Sequence, residues 1–174
     1  MLDDLNLGNN KLISRFPFWL VSLPELKILV LLANGFYSPI CDPYINFGLS
    51  KLHVIDLSHN NFSGKLPSEY FQNWSAILGV TGKDKSQPRY MGDDSNYYKD
   101  SMTIMSKGLK MELVKFLTIF IAIDLSNDSF YGEIPNSVGN LKALIVLNLS
   151  GNNFMSHIPS SLGNLIEIES LDLS

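Results

Sequence analysis

The sequence is poor in cysteine and in charged residues, and each shortage narrows the possible functions. Its one cysteine, Cys41, is either a small apolar side chain without chemistry, which we favour, or a thiol whose partner lies outside this segment. Charged residues make up 17% of the chain, and the net charge is −4. A nucleic-acid-binding protein needs a clustered basic face, so this balance argues against a nucleic-acid partner.

Long apolar runs and targeting signals are also missing. The longest apolar stretch spans residues 116–123 and is interrupted by Thr118, whereas a membrane helix needs about 20 apolar residues. We therefore interpret this stretch as a buried strand. The first residues lack the basic and apolar regions of a signal peptide. We expect neither a secretion signal nor a membrane helix within the sequence as given.

Motifs for catalysis and for metal binding are absent as well. The histidines, His53, His59 and His157, are scattered without metal-ligand spacing. There is neither a phosphate-binding glycine loop nor a nucleophile elbow. Asp56 and Asp124 would be neighbours only if the chain between them bulges out of a continuous sheet, and an open surface lacks the pocket that tunes a catalytic pair. The sequence therefore predicts a protein that is not an enzyme and binds no metal or cofactor.

What the sequence does contain is a repeat with the pattern L-x-x-L-x-L-x-x-N-x-L. Its copies start at residues 2, 26, 52, 120, 144 and 168, and the last copy is partial. In the L-x-L part, both leucines point to one side of a short strand. No single repeat can bury its own apolar side, so neighbouring repeats must stack. The spacing predicts an α/β solenoid of leucine-rich repeats, with a parallel β-sheet on its concave face and 3₁₀ or irregular segments on its convex side.

The repeat is interrupted between residues 75 and 119, a segment that we call the island. The chain is thereby divided into three repeats over 1–74, the island over 75–119, and two repeats plus a partial third over 120–174. Apolar residues alternate on both sides of Lys107-Gly108, and glycine supplies the positive φ of a tight turn. We expect a β-hairpin at this point of the island.

The asparagines of the repeat form a ladder that we expect to turn inward. An asparagine amide both donates and accepts, so Asn10, Asn34, Asn60 and Asn152 can satisfy backbone groups where the chain leaves each strand. Asp128 takes this position in the fourth repeat. A carboxylate has no donor, and we therefore expect the fourth repeat to be the weakest link.

Two strings, residues 57–67 and 132–135, resemble the plant-specific leucine-rich repeat, whose pattern is L-x-x-N-x-[LF]-[ST]-G-x-[IL]-P. The first two repeats depart from that pattern. Ser14 and Ser38 stand where it has glycine, and Cys41 replaces its proline.

The island resembles that of plant leucine-rich-repeat receptor-like proteins of the Cf and Verticillium-resistance type. This resemblance depends on the string at 66–74 and on Tyr98, which is followed after eight residues by Lys107-Gly108. It implies that Tyr98, Lys107 and Gly108 contact a ligand or a co-receptor. The alternative is structural: Tyr98 docks the island on the repeats, and Gly108 makes the turn, which we favour for Gly108.

The resemblance implies a segment of a ligand- and co-receptor-binding ectodomain in plant defence or developmental signalling. The full-length protein would lie on the extracellular side of the plasma membrane. Its partners would be a peptide or protein ligand and a leucine-rich-repeat receptor kinase. The alternative function is a secreted inhibitor of cell-wall hydrolases, similar to polygalacturonase inhibitors. Those compact inhibitors have no island, so the island favours the receptor.

Candidate ligand-binding residues lie at the polar positions of the predicted strands, on the concave face. We expect them to be solvent-facing and to bind a partner through hydrogen bonds and charge, or else simply to solvate the sheet. The central column contains Asn6, Val30, Asp56, Asp124, Asn148 and Asp172, and the next column contains Ser58, Ser126, Ser150 and Ser174, beside His59 and Asn127.

Four N-glycosylation sequons occur, at Asn61, Asn73, Asn127 and Asn148. Their number is typical of a protein of the secretory pathway. Asn148 lies on a predicted strand, and a glycan there would exclude a ligand from the fifth repeat.

Overall fold

Short strands recur once per repeat, at the L-x-L positions. The computed structural model describes residues 1–41, 51–74, 102–106, 109–113 and 120–174. In chain order the strands are β1 (Asp4–Asn6), β2 (Ile28–Val30), β3 (Tyr37–Pro39), β4 (Val54–Asp56), β5 (Asn61–Gly64), β6 (Met102–Ser106), β7 (Leu109–Leu113), β8 (Ala122–Asp124), β9 (Ser129–Gly132), β10 (Val146–Asn148), β11 (Asn153–Phe154) and β12 (Ser170–Asp172).

The strands form two parallel sheets and one hairpin. The larger sheet has six strands in the order β1-β2-β4-β8-β10-β12, and the smaller has the order β11-β9-β5-β3. β6 pairs with β7 in antiparallel register, from Met102 opposite Leu113 to Ser106 opposite Leu109. Lys107 and Gly108, between these strands, lie outside the described residues. The parallel sheets confirm the predicted solenoid.

Both parallel sheets continue past the island. Ile55 of β4 is the partner of Ile123 of β8, and Ser63 of β5 is the partner of Ser129 of β9. The third and fourth repeats therefore stack directly, although 68 positions separate equivalent residues such as Asn61 and Ser129. Both parallel sheets therefore keep a continuous strand register from the third repeat to the fourth.

Between the sheets, the return of the first, third, fourth and fifth repeats contains a short helix that follows a proline. The 3₁₀ helices span Phe18–Ser22, Asn136–Asn140 and Ser160–Asn164, and the third repeat has α1 at Ser68–Asn73. Proline suits the position before the first helical turn because its φ is already fixed and its missing N–H would have no partner there. None of the helices in the described residues has the length and apolarity needed to cross a membrane.

The core lies between the two parallel sheets and is built from one leucine ladder and one phenylalanine ladder. Phe16, Phe36, Phe62 and Phe130 are buried, and the rings of Phe36 and Phe62 stack with centroids 5.9 Å apart. Each fully buried side chain of this size contributes about 1.5–3 kcal/mol relative to exposure. Because each ring packs on the next repeat, this stabilisation belongs to the interfaces between repeats.

The asparagine ladder turns inward, as predicted, at Asn34, Asn60 and Asn152, whereas Asn10 is exposed and donates to carbonyls of its own repeat. Asn60 donates from Nδ2 to the carbonyls of Leu57 (2.8 Å) and Leu31 (3.0 Å), and its Oδ1 accepts from the Phe36 amide. Asn34 and Asn152 repeat this arrangement in their own turns. Each of these three asparagines thereby bonds its own repeat to the preceding one.

Candidate functional site

The six-stranded sheet places the predicted central column in one straight row on its outer face, opposite the leucine core. The strand partners are aligned residue by residue, so that Asp56 lies beside Asp124 and Asp124 beside Asn148. We call this the outer row. Its members are Asn6, Val30, Asp56, Asp124, Asn148 and Asp172.

Four polar side chains of the outer row are each bonded to the serine two residues later in the chain, and Asn6 accepts instead from the amide of Gly8 at 3.0 Å. Asp56 Oδ1 accepts from the amide (3.0 Å) and the hydroxyl (2.6 Å) of Ser58. Asp124 accepts from Ser126 at the same distances. This local bond satisfies a backbone N–H where the chain leaves the strand, which is a common use of aspartate followed by serine. Asn148 with Ser150 and Asp172 with Ser174 repeat the arrangement.

The expectation that these residues face solvent is wrong for most of them. Asp56, Ser58, Asp124, Ser126 and Asn148 are buried, with 2–6% of their surface exposed. The same face also carries a second apolar cluster, itself buried, two positions before the outer row in β2, β4, β8 and β10 and including Val30 of the row, so this side of the sheet is not an open polar surface. The residues of the cluster are Ile28, Val30, Val54, Ala122 and Val146.

His59, Asn127 and Asp172 keep solvent access. His59 and Asn127 are exposed and have φ values of 56° and 53°, because the chain turns sharply after each strand. Asp172 is half-buried on β12. Of the other predicted contact residues, Asn6 and Ser174 are also exposed and Ser150 is half-buried.

Two carboxyl groups are brought together in the middle of the outer row. Burial, and then repulsion from Asp124, raise the pKa of Asp56 to about 6, while the bonds from Ser58 act in the opposite direction. Asn148 donates from Nδ2 to the second oxygen of Asp124 at 3.1 Å. Among the described residues, no group of three His, Cys, Asp or Glu side chains converges on a point that would hold a metal ion.

Asp128 keeps half of the ladder function that we expected it to lose. Its Oδ1 accepts from the amide of Phe62 at 2.9 Å, as an asparagine oxygen does in the other repeats. Its Oδ2, which replaces the donating nitrogen, is buried without a hydrogen-bond partner. Burial is the main cause that raises the pKa of Asp128 to about 8. The carboxyl is therefore mostly neutral at pH 7.

The sequons differ in their surroundings. Asn61 is exposed on β5, where its Oδ1 accepts from the Ser129 hydroxyl at 3.1 Å, and Asn127 is exposed in a turn. Asn73 is the last residue of α1. Asn148 is buried, and its amide oxygen and nitrogen are both bonded. Folding is thus compatible with a glycan on Asn61 or Asn127 but not on Asn148.

The remaining candidates are the three island residues and Cys41. Tyr98 lies outside the described residues, as do Lys107 and Gly108. Cys41 is half-buried at the end of the second repeat. Their predicted roles stay predictions.

Two exposed tyrosines on the smaller sheet were not predicted from the sequence. Tyr37 and Tyr131 have 42% and 45% of their surface exposed, on the opposite face from the buried Phe36, Phe62 and Phe130. The signal was available: each tyrosine directly follows a core phenylalanine, and neighbouring residues of a strand point to opposite faces. Asn61 of β5 is the strand partner of Tyr37 of β3, so the two residues lie on the same face of the sheet.

Comparison with known proteins agrees with this architecture. The family described as Leucine Rich Repeat matches residues 51–73 and 143–165. Receptor-like protein 43 of Arabidopsis thaliana is 51% identical over 145 residues, which cover 83% of this chain and 20% of that protein. Receptor-like protein 32 of the same plant is 52% identical over 144 residues, which cover 82% of this chain and 16% of that protein. The chain thus spans about a fifth or less of these relatives.

Solved structures with the same fold include plant receptor ectodomains. The leucine-rich-repeat ectodomain of the Arabidopsis thaliana receptor kinase GASSHO1/SCHENGEN3, in complex with CASPARIAN STRIP INTEGRITY FACTOR 2, superposes with a TM-score of 0.68 at 25% identity and covers 99% of this chain and 15% of that one. The Arabidopsis receptor kinase HAESA, in complex with the peptide hormone IDA and the co-receptor SERK1, has a TM-score of 0.58 at 25% identity and covers 97% of this chain and 25% of that one.

Proposed function

We propose that this chain, a plant leucine-rich-repeat segment homologous to receptor-like proteins, forms part of an extracellular ectodomain that binds a peptide or protein ligand and a receptor-kinase co-receptor. The supporting observation is the identity of about half of the aligned residues with named receptor-like proteins over 82–83% of the chain. HAESA, which has the same fold at 25% identity, was crystallised with both a peptide hormone and a co-receptor.

The continuous sheet gives this proposal a physical basis. Because β4 pairs with β8, the repeats before and after the island present one uninterrupted surface. A solenoid with many rigid, regularly spaced positions suits recognition of an extended ligand.

Within this function, the exposed turn residue His59 and the island residues Tyr98 and Lys107 are the proposed partner contacts. The buried aspartates Asp56 and Asp124 are assigned to the architecture of the sheet, since their oxygens bond to serines of their own repeat. Both side chains are buried, so they offer little surface to a ligand.

Binding to an immobilised co-receptor ectodomain tests the proposal, with SERK1 as the probe. The chain is produced in a secretory host and measured by biolayer interferometry, with and without His59→Ala, Tyr98→Ala and Lys107→Ala. His157→Ala is the matched control, because His157 is also an exposed histidine and lies in the fifth repeat. We expect saturable binding that the first three changes weaken by roughly tenfold or more, the size of an interface hot spot, and that the control leaves intact.

Two results would contradict the proposal. One is the absence of saturable binding by a folded chain. The other is inhibition of a fungal polygalacturonase by the same preparation, which would favour the hydrolase-inhibitor function. Equal losses in His59→Ala and His157→Ala would refute the assigned contact surface while leaving the function standing.

A further inference from the structure

The seam between the third and fourth repeats differs chemically from every other seam of the ladder. At the neighbouring seams, an asparagine oxygen accepts from a phenylalanine amide of the preceding repeat: Phe36 to Asn60 at 3.1 Å, and Phe130 to Asn152 at 3.0 Å. At the island seam the acceptor is the carboxyl of Asp128, which Phe62 reaches from 66 positions away. This seam is also the one that holds the two blocks of repeats together around the island.

The hydrogen bonds that the asparagine nitrogen donates in the neighbouring repeats have no nitrogen donor at this seam. Asn152 Nδ2 donates to the carbonyls of Leu125 and Leu149, and Asn60 makes the equivalent bonds one block earlier. Asp128 Oδ2, buried without a hydrogen-bond partner, replaces this donor, and the carbonyls that correspond by repeat position are those of Leu57 and Leu125. An ionised oxygen buried among carbonyl oxygens has only repulsive neighbours, whereas a protonated one donates one hydrogen bond.

The charged groups around Asp128 also favour the neutral acid. Asp124 on β8 and Asp56 on β4 both disfavour a further negative charge, and the amides of Phe62 and Asn60 offset burial only in part. Among the described residues the ion pairs join Lys27 to Asp3 and Lys51 to Glu25, so neither of them brings a cation to this seam. His59 and Lys65, in the third repeat, are exposed.

We propose that Asp128 closes the island seam as a neutral carboxylic acid, whose Oδ2–H replaces the asparagine amide, and that loss of this proton loosens this seam before the neighbouring ones. The packing of the third repeat against the fourth is then more stable at acidic pH and less stable at alkaline pH. A solenoid with asparagine at this position has no such response.

Two readouts on the 174-residue chain test this pH dependence. The first is the ¹³C shift of the Asp128 carboxyl, which we expect to titrate near pH 8. The second is the ratio of amide hydrogen-exchange protection at Phe62 to that at Phe130, which cancels the common effect of pH on exchange. We expect this ratio to fall by about tenfold or more between pH 6 and pH 9, because local opening costs less once the carboxyl is charged.

Exchanged variants provide the controls. Asp128→Asn is expected to make the Phe62 to Phe130 ratio independent of pH. Asn152→Asp is expected to transfer the pH response to Phe130. Should Asn152→Asp not fold, the wild-type ratio and Asp128→Asn still decide the matter. A carboxyl midpoint near pH 4, or a ratio that stays constant from pH 6 to pH 9 in the wild type, would overturn the proposal.

Discussion

Gly139 and Gly163 occupy the same position of successive repeats, yet the structure predicts opposite effects when each is changed to alanine. Both glycines lie in a 3₁₀ helix, Asn136–Asn140 and Ser160–Asn164 respectively. A Cβ added to Gly139 would lie 2.2 Å from the carbonyl oxygen of Ser161, whereas nothing lies within 4 Å of one added to Gly163. The first helix is packed against the next repeat, and the second is open on that side.

The size of each effect follows from these distances. At Gly139 the contact is with backbone, so the two helices must separate by about 1 Å, and overpacking of this kind costs roughly 2–4 kcal/mol. For a chain of this length that lowers the thermal midpoint by roughly 5–12 °C. At Gly163 the change restricts only the unfolded chain, which stabilises the folded state by about 0.5–1 kcal/mol.

Thermal unfolding of both variants, followed by circular dichroism at one pH and one protein concentration, measures the difference. We expect Gly139→Ala to melt well below the wild type and Gly163→Ala to melt at or slightly above it. Similar midpoints for the two variants would refute the stacking of the fourth and fifth repeats described above.

Three further changes test other parts of the structure. Asp56→Asn keeps the acceptor for Ser58 and removes a buried charge beside Asp124. Because the pKa of Asp56 is raised to about 6, the folded state binds more protons than the unfolded state between pH 4 and pH 6, and its stability falls as the pH rises through that window. Urea titrations should therefore show the variant equal to the wild type at pH 3.5 and more stable by roughly 2 kcal/mol at pH 8; a constant difference across this range would contradict the assignment. Trp74→Phe removes the Nε1 donor to the Leu52 carbonyl, at 2.8 Å, and should cost roughly 1–3 kcal/mol in the same titration; an unchanged midpoint would show that this buried carbonyl has another partner. Ser156→Gly relieves a left-handed backbone (φ 84°) at an exposed serine and should raise the thermal midpoint, corresponding to about 1 kcal/mol; a lower midpoint would mean that the serine hydroxyl matters more than its backbone.

The architecture was predictable from the sequence because it depends on spacing. Leucines at fixed intervals have one way to be buried, which is by stacking, so the parallel sheet and the inward asparagines followed from the repeat alone. The direct pairing of β4 with β8 was left open by the sequence, because it depends on whether the chain between them bulges out of a continuous sheet; the structure pairs the two strands.

The state of individual side chains was not predictable in the same way, because it depends on residues brought in from other repeats. Asp56 is buried on a sheet face that also carries an apolar cluster, which Val54 shares with Ala122 and Val146 from the far side of the island. Gly139 and Gly163 have the same local sequence context and differ only in what packs above them. The residue type of Asp128 predicted a lost ladder position, yet its Oδ1 accepts a hydrogen bond from the Phe62 amide of the preceding repeat.

Disulfide trapping across the island seam tests most directly whether the two blocks form one sheet, as both proposals require. Val54 and Ala122 are strand partners, and neighbouring strands lie about 4.8 Å apart, within reach of a disulfide. Val146 lies one strand further from Val54, beyond about 7 Å, where a disulfide cannot form. In a Cys41→Ser background, Val54→Cys with Ala122→Cys should cross-link under mild oxidation, and Val54→Cys with Val146→Cys should not. Failure of the first pair, or equal cross-linking of both, would contradict the continuous sheet.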